Sequence, residues 1–462
     1  MEGIVEIPNS LNGLFRAGND RRIQTKKKAA ESDGDRPEYK FAVHIIGWFT
    51  RRSLFICCSL DGDGGKEETK FAYIGGSPKI AGFLLLIFRI CADFIGPNGT
   101  TEFQCMAYFS YFCGQFKCKM TEKNPQRRLP AEWEPQSAVQ LTFPHKDTDW
   151  ADVLEEVLPC FLQIAETISR FQKVLILCND IEETNALVEH GNLKNIKFMA
   201  VASNDTWARD HGGITIIENG LPIILDFVFN GWGLKFPADK DNLITRHLYN
   251  RGLFNAGILH GGIVLEGGAL ESDGLGTLLT TTECMLSPNR NPHLSKAEIE
   301  IHLKECFGLQ RVLWLNHGYL AGDDTDSHID TLARLCSSNT IAYVKCTDPS
   351  DEHYDALQKM EAELQQFKTL NGVPYQLVPL PWPDACFDAE GHRLPATYAN
   401  FLIINGAVLV PTYNVPQDAA ALQIISALFP ERETIGIDCR PLILQHGSLH
   451  CVTMQYPQGV IK

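Results

Sequence analysis

A single arrangement recurs along the chain from about residue 127 and constrains the fold more tightly than any other feature. A short polar segment comes first, then two apolar runs joined by a turn, then an amphipathic stretch leading to another apolar run. Asp210 precedes runs at 214–218 and 222–229 around Asn219-Gly220, and Glu266 precedes runs at 269–271 and 277–281 around Ser272-Asp273-Gly274. His328 and Asp330 precede runs at 332–336 and 341–345. Asn400 precedes 401–404 and 408–411 around Asn405-Gly406, a dipeptide whose left-handed preference suits a two-residue hairpin. Cys451 heads the last unit, which a strand near 140–143 would complete. Successive intervals from Asp210 through Glu266, His328 and Asn400 to Cys451 are 56, 62, 72 and 51 residues. Helices are expected at 149–171, from the Ser295-x-x-Glu298 capping box to about Cys306, at 351–368 and at 416–428. Strands are expected after them at 174–178, 311–315, 376–380 and 434–437. Repeating a ββαβ unit about five times around a centre would bring every leading residue to one point. A mixed α/β sheet with polar groups on its loops is the plainer alternative.

Length sets a second bound. At 462 residues the chain exceeds one ordinary core, which predicts a large domain with an addition, or two domains. Residues 1–126 differ from the rest: they carry 17 Lys+Arg against 14 Asp+Glu, whereas 127–462 carry 24 against 42. They hold a basic cluster (Arg21, Arg22, Lys26, Lys27, Lys28), a Gly/Asp-rich stretch at 61–65, apolar runs at 41–49 and 83–95, and six of the fifteen cysteines. No regular alternation of strand and helix is visible there. Residues 1–126 are therefore read as an N-terminal extension, accessory or never packed, ahead of a catalytic domain at 127–462. An acidic body disfavours nucleic acid and attracts small cations. Fifteen cysteines without a CxxC pair argue against a disulfide framework or zinc finger and for a reducing, cytoplasmic setting. No signal peptide is expected, because residues 1–20 lack a continuous apolar core. The most apolar run, 80–88, ends at Arg89 and is too short to span a bilayer.

The chemistry resides in the leading segments. Cysteine attacks as a thiolate and needs a neighbour that favours ionisation. His450 adjoins Cys451, but successive strand residues point to opposite faces, so His328 is the better candidate for general acid and base. Asp210 and Asp330 suit a guanidinium, whose planar donor fork matches carboxylates and stays charged at cellular pH. Glu266, followed by two glycines, would grip the same group or accept a proton. Trp207 is a candidate for cation–π contact worth about 0.5–2 kcal/mol, or equally a core anchor. Arg209 is expected to partner a carboxylate internally. The run Asp323-Asp324-Thr325-Asp326-Ser327-His328-Ile329-Asp330 invites a metal reading, yet it lacks the EF-hand glycine and terminal Glu, and no HExxH occurs. A thiol protease would also use Cys451 and His328, but leaves the three carboxylates unexplained.

From Arg128-Leu129-Pro130-Ala131-Glu132-Trp133-Glu134-Pro135-Gln136 to Cys451 the chain resembles the agmatine deiminase family of pentein-fold, guanidine-modifying enzymes, related to bacterial-type peptidylarginine deiminase. The resemblance spans roughly residues 127–458. It rests on Asn204-Asp205-Thr206-Trp207-Ala208-Arg209-Asp210, Leu265-Glu266-Gly267-Gly268, Thr281-Thr282-Glu283-Cys284 with Asn289-Arg290-Asn291-Pro292, and His450-Cys451-x-Thr453-x-Gln455. It implies a pseudo-symmetric five-bladed propeller, with Cys451 as nucleophile, His328 as acid/base, and Asp210, Glu266 and Asp330 holding the guanidinium. The implied reaction converts agmatine to N-carbamoylputrescine and ammonia, a step towards putrescine and the polyamines, without metal or organic cofactor. Two departures stand out: family members usually carry a run of glycines where this chain has His446-Gly447-Ser448, and some carry Thr-Gly where it has His211-Gly212. The alternatives are an arginine or peptidylarginine deiminase, a silent guanidino-binding protein, and a general thiol amidohydrolase. The expected partner is a small cationic guanidino compound, with no nucleic acid or membrane, on a monomer or homo-oligomer.

Overall fold

The computed structural model describes residues 126–462, apart from 183 and 185–194, and the backbone of three earlier strands. The chain divides into two units, Met1–Glu122 and Lys123–Lys462. In the first, β1 (Ala42–Phe49), β2 (Ser53–Asp61) and β3 (Thr69–Gly75) form an antiparallel sheet in that order. β1 occupies the apolar run at 41–49, whereas the basic cluster at 21–28 and the runs at 80–88 and 83–95 lie outside the described residues.

The second unit is an α/β fold of five mixed sheets built to one pattern, an antiparallel pair extended by a parallel strand. β8 (Ile214–Glu218) turns into antiparallel β9 (Leu221–Val228), and β10 (Gly257–Val264) lies parallel to β9, with the short β4 (Arg127–Arg128) beside β8. β11 (Glu271–Ser272), β12 (Thr277–Thr281) and β13 (Arg311–Leu315) repeat the order. So do β14 (Ala333–Ser337), β15 (Thr340–Val344) and β16 (Gln376–Leu380). β17 (Leu402–Ile404), β18 (Ala407–Thr412) and β19 (Glu433–Asp438) form the fourth. The fifth joins the two ends of the unit: β20 (Thr453–Pro457) pairs antiparallel with β5 (Gln136–Thr142), followed in parallel by β6 (Lys173–Cys178) and β7 (Ile196–Ala200).

Local chemistry explains the elements. Asn219 and Gly220 both take positive φ, 50° and 81°, which the β8–β9 turn needs to match strand twist. Helix α1 (Leu154–Ser169) buries Val157, Phe161, Ile164 and Ile168, the i, i+4, i+7 and i+11 positions of one face. The helical stretch expected at 149–171 is shorter, because Ala151–Val153 forms a 3-10 turn ahead of it. Between β9 and β10 lies α2 (Ile244–Asn250). α3 (Lys296–Phe307) opens on a reciprocal box, with the Ser295 amide donating to the Glu298 carboxylate at 2.8 Å, and ends at left-handed Gly308. α4 (Tyr354–Leu364) and α5 (Asp418–Leu428) connect the later units. No helix among the described residues is long and apolar enough to cross a membrane. Each leading residue sits just ahead of its unit's first strand: Asp210 before β8, Glu266 before β11, Asp330 before β14, Asn400 before β17 and Cys451 before β20.

Candidate active site

The five units bring their leading residues together. Gly268 donates its amide to Asp210 Oδ1 at 2.9 Å, and a Cβ there would lie 2.5 Å from His328 Nδ1, 2.8 Å from Asp210 Oδ1 and 3.3 Å from Asp330 Oδ2. The side chains of His328, Asp210 and Asp330 therefore converge on one small volume. His328 Nδ1 is 3.6 Å from Asp210 Oδ1, and its Nε2 is 3.8 Å from Glu266 Oε2. Cys451 Sγ lies 3.3 Å from Asn400 Nδ2 and 4.0 Å from Asp330 Oδ2.

His450 and Cys451 lie on a turn ahead of β20, not in a strand, and both side chains approach Asp330 Oδ2. His450 turns into a buried network, with Nδ1 2.7 Å from Asp330 Oδ2 and Nε2 2.7 Å from Glu132 Oε2. Arg334 closes that network by pairing with Glu132 at 2.9 Å and with Glu271. His450 thus orients Asp330, a role that adjacency to Cys451 conceals. Asn400 braces the turn from the other side, accepting the His450 amide on Oδ1 at 2.8 Å.

Burial dominates the electrostatics. It pushes the Cys451 thiol well above its ordinary value, helped by Asp330 and Asp210, which favours the thiol over the thiolate. Burial alone would lower His328; the Asp210 carboxylate, then Cys284 and Glu266, outweigh it and raise the imidazole well above its usual range. Burial raises Asp210, with His328 opposing. For Glu266 the burial penalty is overcome by His328 and Arg290, and for Asp330 by His450 and His328, so both are lowered. Three buried atoms in this centre have no hydrogen-bond partner: His328 Nδ1, His328 Nε2 and Asp330 Oδ1. Unmet polar capacity of this kind marks a place for a ligand.

A solvent-open cleft of about 430 Å³ leads to Cys451, lined among others by Trp207, Trp232, Phe236 and His446. Its carboxylates are Asp149, Asp205, Asp210 and Asp324, and no Lys or Arg lines it among the described residues. Trp207 packs on Trp150 with centroids 5.7 Å apart, and Trp232 donates its indole N–H to Asp210 Oδ2 at 3.0 Å. Non-glycine residues with positive φ gather here: Trp232 and Leu234, Asp326 and Ser327 just before His328, and His446. Backbone strain of this sort costs about 1–3 kcal/mol per residue and persists where the surroundings hold a functional geometry. His446, in one of the two departures from the family pattern, reaches Gly322 O at 2.8 Å from the cleft mouth. Gly447 is required, since a Cβ would overlap the Trp207 ring. His211, the other departure, does not line the cleft; burial lowers it to about 3, so its ring is neutral.

One expectation is corrected. Arg209 makes no ion pair among the described residues; its guanidinium reaches His450 O at 3.4 Å and Met454 Sδ at 3.8 Å. The carboxylates nearby are already taken by His450 and Arg334. The cation that does serve the site is Arg290, whose Nε donates to Glu266 at 2.8 Å and whose Nη1 meets Asp326 at 2.5 Å. The segment Asn289-Arg290-Asn291-Pro292 was its only sequence signal.

An α/β fold that gathers a thiol, an imidazole and carboxylates matched to a planar cation defines a hydrolase of guanidino or amidine groups. The model of the Porphyromonas-type peptidyl-arginine deiminase family matches residues 128–457, and the chain belongs to this family. Agmatine deiminase of Pseudomonas aeruginosa (strain LESB58) is 32% identical over 355 residues, 71% of this chain and 95% of that one. Among solved structures, a Porphyromonas gingivalis protein provisionally named an arginine deiminase is 56% identical with a TM-score of 0.70, covering 73% of this chain and 100% of its own. A cysteine-to-serine variant of C. jejuni agmatine deiminase, with substrate bound, is 40% identical with a TM-score of 0.69, covering 72% and 97%.

Proposed function

We propose that the chain is an agmatine deiminase, producing N-carbamoylputrescine and ammonia on a five-bladed propeller formed by residues 127–462, with 1–126 an extension outside the chemistry. The propeller reading draws on five sheets of one pattern, the last joined through β20 and β5. The substrate reading draws above all on the cleft, whose lining among the described residues holds four carboxylates and no Lys or Arg. Agmatine presents a cation at each end, whereas arginine would bring an α-carboxylate among those acids.

Asp210 and Asp330 orient the guanidinium, whose charge lowers the cost of ionising the Cys451 thiol, and its proton leaves to solvent. The thiolate forms a C–S bond to the guanidinium carbon; protonated His328 gives its proton to one nitrogen, and the C–N bond breaks to release ammonia. The cationic amidino-thioether remains, steadied by Glu266 and the aspartates. Neutral His328 then takes a proton from water, the new hydroxyl bonds to carbon, and the C–S bond breaks to return the thiolate. The surplus proton leaves with ammonia as ammonium. Trp207 covers one side of the entering cation.

The test compares ammonia release from agmatine, arginine and an arginyl peptide, with wild type and Cys451→Ser. Agmatine should be turned over fastest, and Cys451→Ser should lose turnover while remaining folded; wild-type-like activity in that variant refutes the mechanism. The family description favours one rival, a peptidylarginine or arginine deiminase, for which the order of substrates would reverse. Calorimetric binding of agmatine without ammonia would identify a silent guanidino-binding protein.

A further inference from the structure

The mechanism leaves one thiol in this centre unused. Cys284 lies on the helical turn Thr282–Met285 that follows β12, fully buried, with Sγ 3.8 Å from Glu266 Oε2. The same carboxylate oxygen is 3.8 Å from His328 Nε2, and one donor atom from each of the three residues falls within 4.8 Å of the others. Zinc bonds of about 2.3 Å to sulfur and 2.0–2.2 Å to nitrogen or oxygen, at tetrahedral angles, hold donors about 3.3–3.7 Å apart. The two pairs that share Glu266 Oε2, each at 3.8 Å, need to tighten by only a few tenths of an ångström.

Two further observations point to a ligand. His328 is fully buried and Nε2 has no hydrogen-bond partner, so a lone pair is free once the ring is neutral. The outer groups are placed to support such a ligand set: Asp210 Oδ1 lies 3.6 Å from Nδ1, and Arg290 Nε fixes Glu266 at 2.8 Å and 3.0 Å to its two oxygens. A thiolate in the set favours a soft or borderline ion over Mg2+ or Ca2+. One thiolate and one carboxylate balance the charge of a divalent ion.

We propose that Glu266, Cys284 and His328 form an inhibitory binding site for Zn2+, separate from the nucleophile. Binding forms bonds to Oε2, Sγ and Nε2, and releases to solvent the thiol proton of Cys284 and the Nε2 proton of His328. The fourth position is left to water. The ion removes the acid/base imidazole from turnover while Cys451 keeps a free sulfur; this inhibition rests on the function proposed above, but the binding does not.

Spectral titration with Co2+ separates the two. Cys451→Ser should keep a sulfur-to-cobalt charge-transfer band that Zn2+ abolishes. Cys284→Ser and Cys284→Ala should both lose it, with melting curves reporting that they fold. Cys306→Ser, whose thiol lies 3.4 Å from His302 Nε2, should keep it. Zn2+ should inhibit wild-type turnover without slowing iodoacetamide labelling of Cys451, and Cys284→Ser should raise the inhibitory concentration roughly tenfold or more. A band that survives loss of Cys284, or vanishes with Cys451, overturns the site. Failure of agmatine turnover with the band intact would count only against the proposed function.

Discussion

Replacing Gly268 by alanine adds one methyl group at the point where His328, Asp210 and Asp330 meet. Gly268 does not use a positive φ, so the backbone accepts alanine and only space is at issue. The new carbon would stand 2.5 Å from His328 Nδ1 and 2.8 Å from Asp210 Oδ1. Comfortable separations are about 3.5–4.0 Å, so the imidazole must retreat by about 1 Å. A displacement of that size costs about 100-fold in rate, equivalent to roughly 2.7 kcal/mol of transition-state stabilisation. Overpacking should lower stability by about 1–3 kcal/mol, which urea denaturation reads separately. Gly257→Ala is the control, because nothing lies within 4 Å of its added carbon and its φ is ordinary. Steady-state ammonia release from agmatine is the assay. If Gly268→Ala kept kcat/KM within threefold of wild type, the convergence of these groups on the reacting carbon would be wrong.

Two other outcomes follow from buried charge and the buried thiol. Arg334→Met strands the Glu132 and Glu271 carboxylates in the interior and should cost about 3–5 kcal/mol of unfolding free energy; a loss below about 1 kcal/mol would contradict the pairing. The raised Cys451 thiol favours its protonated form in the fold, whereas the unfolded thiol ionises near pH 8.5. Its contribution is complete below that pH and is lost as pH rises towards the folded value, so the urea midpoint should fall between about pH 8 and 10. Cys451→Ser should flatten part of that fall, and an identical decline in the variant would show that the thiol is not held neutral.

What was legible in the chain was local. Asn219-Gly220, Asn405-Gly406 and the Ser295 box act within a few residues, and the hairpins and α3 stand where they indicate. The expected strands at 311–315 and 376–380 coincide with β13 and β16. β10 was hidden because Gly261 and Gly262 interrupt its apolar alternation, and parallel pairing with β9 supplies what its own residues do not. Asp210, Glu266, His328, Asp330 and Cys451 stood out because each heads a repeat. Their supports did not: Glu132 lies ahead of the first regular strand, and Arg334 lies inside β14. Burial, and not sequence spacing, makes these two partners of His450. Arg209 was misread for the same reason, since the neighbouring acids already had partners.

The pairing of β20 with β5 has a consequence for how the protein is made. Ser137 Oγ donates to Pro457 O across 320 residues of sequence, so this pairing forms only after both distant segments have been made. Cys451 stands two residues ahead of β20, and in the fold that this pairing completes its sulfur meets Asn400 and Asp330. A chain cut short ahead of β20 therefore leaves β5 without its antiparallel partner.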